Sequence, residues 1–426
     1  MCYADIGNPA SPEEIPLFRT LIRLPYFTRI WPLQEIALAQ RCNILVGART
    51  VVDIRSVLLM PHLHLFPCSA ALDTIELASV RSEYGRVTTL HRQLLEFFQS
   101  GSNRSNASPR LSTPSISEIL LHARGHQASE PRDKIFALYG VLQRLQAHLE
   151  APNYLRSVED IYFGASTAAI HKDRSLRVFE GLTGFSNFDL PSWIPDWSDH
   201  QHITKVAEWT DHRASDSSEA QAFIKGRELL ACGLLIDTVS QEHSTFAPTS
   251  LLVERNTLTE EIVKPIRSSS NVSVKRYLEF LERLFLDIWE NKNAKSKRDQ
   301  IHCKMVKDRA NKRVENPMVR ILIGYRKSGE FTEGSLRNSV VLYADLCRRL
   351  DRKTLFQTKS GRLGIASMDT KIGDSILLLQ GCNLPMVVRP EGNKWKLIAP
   401  AYLPADGIMD GKLWKPDGPF ESFTFT

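Results

Sequence analysis

The chain lacks the patterns that mark several large enzyme classes. Its 426 residues contain no G-x-x-x-x-G-K-[ST], no G-x-G-x-x-G and no G-x-S-x-G. Phosphate-loop nucleotidase, dinucleotide oxidoreductase and α/β-hydrolase readings therefore have no motif behind them. Cysteine is scarce and scattered: Cys2, Cys42, Cys68, Cys232, Cys303, Cys347 and Cys382. The number is odd and no C-x-x-C occurs, so neither a disulfide framework nor a zinc knuckle is indicated. No apolar run approaches the length of about 18 residues that spans a bilayer. Met1-Cys2-Tyr3-Ala4-Asp5 has no basic or apolar leader character. The expected location is cytoplasmic, and the sequons at Asn103, Asn106 and Asn271 are then chance matches.

What is there is globular in composition, with 42% hydrophobic and 24% charged residues. The length suits two or three domains. The net charge is +6, and much of the excess lies between Lys292 and Arg313. Lys295, Lys297, Arg298, Lys304, Lys307, Arg309 and Lys312 have no aromatic residues interleaved and no recognition motif beside them. They read as a solvated segment, and neither a nucleic acid nor a membrane is expected as partner.

The periodicity predicts an α+β chain. Pro32 suits the start of a helix to about Gln40 that buries Leu33, Ile36 and Ala37. Asn43 to Gly47 follows as a short buried strand, an order that a parallel α/β sheet would use. Residues 69–99 read as helical, and the serine-rich Ser100–Ser117 reads as a mobile loop. Helices are expected near Ser117–Arg124, over Pro131–Leu142 and near Val158–His171. In Pro131–Leu142 the proline takes the first helical position. Ile135, Leu138, Tyr139 and Leu142 then form one stripe. Further helices are expected over Val274–Glu290 and Ser339–Leu350. A hairpin around Gly226-Arg227 joins Ala222–Lys225 to Glu228–Val239. The period of two returns in Thr354–Gln357, Gly361–Ala366, Ser375–Leu379, Met386–Arg389 and Trp395–Ala399. We expect these strands and the hairpin to share one antiparallel β domain. The resulting division is 1–60, a helical region 61–221, a β domain made of 222–240 with 354–426, and a helical insertion 241–353.

Lone histidine pairs are poor metal candidates. His122 and His126 are four apart, but Gly125 intervenes. His62 with His64 and His200 with His202 have no third ligand in sight. No metal and no cofactor is expected. Trp193 and Trp197 lie in a proline-fixed extended segment, which reads as pinning both rings into a groove between domains.

Four strings also resemble, in order, fungal heterokaryon incompatibility (HET) proteins. Phe27-Thr28-Arg29-Ile30-Trp31-Pro32-Leu33-Gln34-Glu35 is similar to the element that closes the HET domain. Its matching residues are Arg29, Trp31, Gln34 and Glu35. Glu130-Pro131-Arg132-Asp133-Lys134-Ile135-Phe136-Ala137-Leu138-Tyr139-Gly140 resembles the family's P-R-D-K signature, through Pro131, Arg132 and Asp133. Leu190-Pro191-Ser192-Trp193-Ile194-Pro195-Asp196-Trp197-Ser198 resembles its L-P-S-W-hydrophobic-P-D-W-S string, through Trp193, Pro195, Asp196 and Trp197. Gly373-Asp374 and Gly407-Ile408-Met409-Asp410-Gly411 resemble its closing β-rich part.

The resemblance implies the remnant of an α/β, TIR-like HET domain at 1–60, N-terminally truncated relative to the family. It also implies non-self recognition between hyphae by protein contact, leading to programmed cell death. The protein partner is unknown, and self-association is expected of an exposed sheet edge. An inactive truncated product is a further reading. In the alternative reading the chain is an NAD glycohydrolase that needs a missing N-terminal half. Glu35 is then the catalytic carboxylate that stabilises oxocarbenium-like charge. Arg132 and Asp133 are expected to tie the signature helix to the tryptophan segment.

Overall fold

The computed structural model describes residues 20, 24–46, 50–53, 90–91, 93–95, 97–98, 114–199, 212–245, 352–415 and 418–426. The expected helices at 274–290 and 339–350, the basic run, residues 69–89, the serine-rich loop to 113, and His62, His64, His200 and His202 lie outside the described residues. The described part is α+β, with helices and a mixed, mostly antiparallel sheet. Among the described residues, no helix is long and apolar enough to cross a membrane. The chain splits into two compact units. One is Met1–Asp173 with Trp197–His200, and the other is Arg174–Asp196 with Gln201–Thr426.

In the first unit, α1 is Pro25–Thr28 and α2 is Trp31–Leu38, with β1 at Asn43–Val46 and β2 at Thr50–Asp53. Pro32 sits in the first turn of α2, where no intrahelical N–H is needed. Leu33, Ile36 and Ala37 are buried as the pattern requires. Among the described residues β1 has no parallel partner. It pairs antiparallel with β2, Ile44 opposite Val52, in a two-stranded sheet. The reason is local: three intervening residues can close a hairpin, whereas a parallel partner needs a long crossover.

The helix α3, Ile116–Ala123, starts at Ser115, whose hydroxyl accepts from the Glu118 N–H at 3.1 Å. The Asp173 carboxylate accepts the Ile116 and Ser117 N–H groups at 2.9 and 2.7 Å. A negative group thus sits at the positive end of the helix. Asp173 closes α6, Val158–Asp173, and so joins the two helices.

The signature segment is not one helix. It forms α4 over Asp133–Phe136 and α5 over Tyr139–Arg144. Leu138 between them takes φ −106° and ψ −4°. The first turn is tight: the N–H groups of Asp133, Lys134 and Ile135 reach back three residues, to Glu130, Pro131 and Arg132. The bend turns both sides of the segment inward. Ile135, Phe136, Ala137, Leu138, Val141 and Leu142 are all buried, a wider set than the single stripe of a straight helix.

In the second unit, β3 (Ala222–Lys225) and β4 (Glu228–Thr245) form a hairpin, and Gly226 takes φ +60° in its two-residue turn. Then come β5 (Lys353–Thr358), β6 (Leu363–Ser367), β7 (Ser375–Leu379), β8 (Met386–Glu391), β9 (Lys394–Pro400) and β10 (Glu421–Phe425). The ladders run β4 to β7, β7 to β8, β8 to β9, β9 to β10, and β10 back to β4. The ring closes on itself, so it is a barrel rather than an open sheet.

The link from β10 to β9 is parallel, at Phe425 and Trp395, and the other links are antiparallel. β5 and β6 extend the sheet from the far half of β4. β4 serves as partner to β3, β10, β7 and β5 because it is 18 residues long. Phe356, Ile376, Leu378, Val387, Ile398, Leu403 and Ile408 fill one apolar cluster.

Candidate functional site

In the first unit, the string around Trp31 and the signature segment meet, although about a hundred residues separate them. The Trp31 Nε1–H donates to Asp133 Oδ2 at 3.1 Å, and the Tyr154 hydroxyl donates to Asp133 Oδ1 at 2.6 Å. Both carboxylate oxygens are thus engaged, and Asp133 joins Trp31 to Tyr154. The Asp133 hydrogen bond, helped by desolvation, pushes the Tyr154 hydroxyl up to about 12. It stays protonated at neutral pH and keeps donating. Gln34 Oε1 accepts the Gly140 N–H. A Cβ at Gly140 would stand 2.8 Å from that Oε1 and 3.0 Å from Leu38 Cδ1, so a residue without a side chain lets α2 lie against α5.

The rest of the signature is held by the same unit. The Pro131 carbonyl accepts from the Tyr162 hydroxyl at 2.9 Å. Arg132 Nε donates to the Arg156 carbonyl at 2.8 Å, and its guanidinium pairs with Glu130. Lys134 is buried, and its ammonium donates to the Arg124 carbonyl at 2.9 Å and to that of His126. Those carbonyls lie just past the end of α3, where a cation is favoured. Among the described residues, the side-chain hydrogen bonds of Arg132 go to Glu130 and Arg156, and those of Asp133 to Trp31 and Tyr154.

Glu35 lies exposed on α2, on a different side from Gln34 and Leu38, and Arg29 is exposed as well. The Tyr26 hydroxyl nearby is pushed up to about 12 by burial, with smaller contributions from Cys42 and Glu35. Glycosidic cleavage needs a carboxylate in a site that excludes water, and among the described residues Glu35 is exposed. His122 Nδ1 lies 3.2 Å from Gln93 Oε1, and the His126 ring is 5.8 Å from that of His91. Among the described residues, no group of three potential metal ligands occurs.

Trp193 and Trp197 are both buried, and each is anchored within its own unit. Trp193 Nε1 donates to the Arg227 carbonyl at 2.9 Å, at the tip of the β3–β4 hairpin. Trp197 Nε1 donates to Ser166 Oγ on α6 at 3.1 Å. Buried Pro195 stands between them. Asp196 accepts the Asn187 N–H at 3.1 Å.

The barrel carries two ionic clusters. Asp374 is buried and accepts Arg389 Nε at 2.8 Å, an Arg389 terminal N–H at 3.0 Å and the Lys371 N–H at 2.8 Å. Gly373, at φ +94°, makes the turn that delivers Asp374, a conformation that L side chains rarely adopt. Gly407 and Gly411 also have positive φ, and a Cβ on Gly411 would stand 2.6 Å from the Arg213 carbonyl.

In the second cluster Arg362 bridges Asp237 at 2.7 Å and Asp406 at 2.6 Å. Burial alone would raise the Asp237 carboxyl. Hydrogen bonds from Thr358, the Thr238 N–H, Ser360 and Arg362 outweigh it and hold the group below its ordinary value of 3.8. Its contribution to stability is thus fully present above that value and lost as the pH falls through the lower folded one. We expect acid unfolding to show this loss below about pH 4, and Asp237→Asn to flatten it. An unchanged acid limb in the variant would show that the carboxylate is not linked to folding.

Sequence reading missed Arg389, Arg362, Tyr154 and Tyr162. Only Asp237 carried a signal, as a carboxylate inside the apolar strand Leu234–Val239, which demands a partner.

The Het-6 beta-barrel domain family matches residues 326–419. The match includes β5 to β9 and supports a heterokaryon-incompatibility-related family and a fungal origin. No curated protein and no solved structure matches the chain.

Proposed function

We propose that the chain acts in heterokaryon incompatibility through protein–protein contact, with cell death as the downstream result. The observation that supports this is the coincidence of the Het-6 beta-barrel match with strands that close into a barrel. In this reading Arg29 to Glu35 belong to the end of a HET domain. The link from Trp31 through Asp133 to Tyr154 keeps that end fixed against the signature segment. Placement of Asp133 between two donors and of Glu35 in solvent favours a binding role over glycosidic chemistry.

The test is hyphal fusion. The full chain is expressed in a fungal strain that lacks it, and that strain is paired with a panel of genetically distinct strains. Dye uptake by fused compartments is the expected result in some pairings. It should disappear when the barrel is destabilised by Arg389→Met. Two results would overturn the reading: no pairing in the panel causing death, or purified chain releasing nicotinamide from NAD in a way that Glu35→Gln abolishes.

A further inference from the structure

Among the described residues, the hairpin strand β3 is paired on one side only, by β4. Lys225 and Glu228 flank the two-residue turn and face each other, as do Phe223 and Leu230. In a hairpin of this kind the pair next to the turn exchanges both hydrogen bonds, and bonded pairs then alternate. The peptide groups of Phe223 and Lys225 therefore point to β4, and those of Ala222 and Ile224 point away from it. The latter have no hydrogen-bond partner among the described residues. Two residues before Ala222 the edge is closed, because the Ala220 N–H donates to the Arg174 carbonyl at 2.8 Å. Beside the free edge stands an apolar pair on the outer face. Phe223 is 64% exposed and Leu230 is 38% exposed, directly opposite each other.

We propose that β3 is a docking edge for a second copy of this chain, two β3 strands pairing antiparallel about a two-fold axis through Phe223. The reason for choosing a second copy is that this edge complements itself. Centred on Phe223, the pairing sets Ala222 opposite the partner's Ile224 and Ile224 opposite the partner's Ala222. Every free peptide group on one strand then meets one on the other. Gln221 falls opposite the partner's Lys225, so no like charges face each other. The closed stretch at Ala220 lies beyond the paired residues.

Phe223 meets the partner's Phe223 as a pair without mutual backbone bonds, where Cα atoms approach to about 4.5 Å and side chains are closest. The two phenyl rings cover each other between the two Leu230 side chains. A shifted register loses one of these features. Centring on Ala222 would set Ile224 against the already occupied Ala220. Unpaired edges of this kind recruit extended strands, and a self-complementary patch gives a closed dimer.

The test uses the full chain. Sedimentation across a dilution series should show a monomer–dimer equilibrium. Phe223→Lys places two cations face to face, and Phe223→Glu two anions. Each should weaken the dimer by about tenfold or more, while an equimolar mixture of the two regains it. Should either variant fold poorly by circular dichroism, Ile224→Pro removes a free N–H without touching a β3–β4 bond, and it should also give monomer. With dioxygen added as the two-electron oxidant, Phe223→Cys should form a disulfide-linked dimer, whereas Leu235→Cys, exposed elsewhere on β4, should not. A monomer at all concentrations would overturn the proposal. So would a dimer indifferent to Phe223→Lys and Ile224→Pro, which would assign self-association to another surface.

Discussion

Replacing Arg389 with methionine is expected to destabilise the second unit by about 3 kcal/mol. The side chain of Asp374 is 2% exposed and takes two of its three hydrogen bonds from Arg389. Removing the guanidinium leaves a carboxylate buried without its counter-charge, which typically costs about 3–5 kcal/mol; the partial exposure of Arg389 puts the effect at the lower end. The Arg389 terminal nitrogen also holds the Asp369 carbonyl at 2.8 Å, so the turn leading into β7 loosens as well. Asp374→Asn removes the stranded charge. In the Arg389→Met background it should therefore recover part of the loss, and the coupling measured by a double-mutant cycle should be at least about 1 kcal/mol. Denaturant titration of the four proteins is the measurement. Additive effects would mean that the pair contributes nothing as a pair.

Leu138→Ala is expected to cost about 2–5 kcal/mol in the first unit, the range for a large-to-small change in a packed core. Leu138 has no exposed surface and occupies the bend between α4 and α5, where the chain passes through the core. Leu155 gives the contrast, being 95% exposed. Its replacement by alanine should change stability by no more than about 0.5 kcal/mol. Equal melting curves for parent and Leu138→Ala would show that the segment packs loosely.

How much of this could be read from sequence differs between the two units for a physical reason. Strands β5 to β9 alternate or run apolar between turn residues, and each was found within two residues of its place. β10 was missed: Glu-Ser-Phe-Thr-Phe is short and mostly polar, and its role depends on β4 far away in the chain. The bend at Leu138 was also illegible, since Ala137, Leu138 and Tyr139 are all compatible with a straight helix and only packing on both sides breaks it. Parallel pairing of β1 was expected from the order of elements, but Thr50–Asp53 supplied a nearer partner. At the candidate site, the string matches named Trp31, Gln34 and Asp133 but not what they touch. A hydrogen bond from Trp31 to Asp133 leaves no local trace in either segment.

The closed ring has a consequence for synthesis. The strand β4 is complete by Thr245, but its partner β10 begins at Glu421 and pairs with Gly233. Roughly 190 residues separate those two, so at a translation rate of about 5–20 residues per second β4 waits on the order of 10–40 s for that neighbour. Throughout that interval one flank of β4 is an open template on the ribosome, with Leu229 and Ala231 unshielded. Synonymous codons between the two strands thus become a variable in the yield of native protein. A holdase that covers β4 should raise that yield most when elongation is slow.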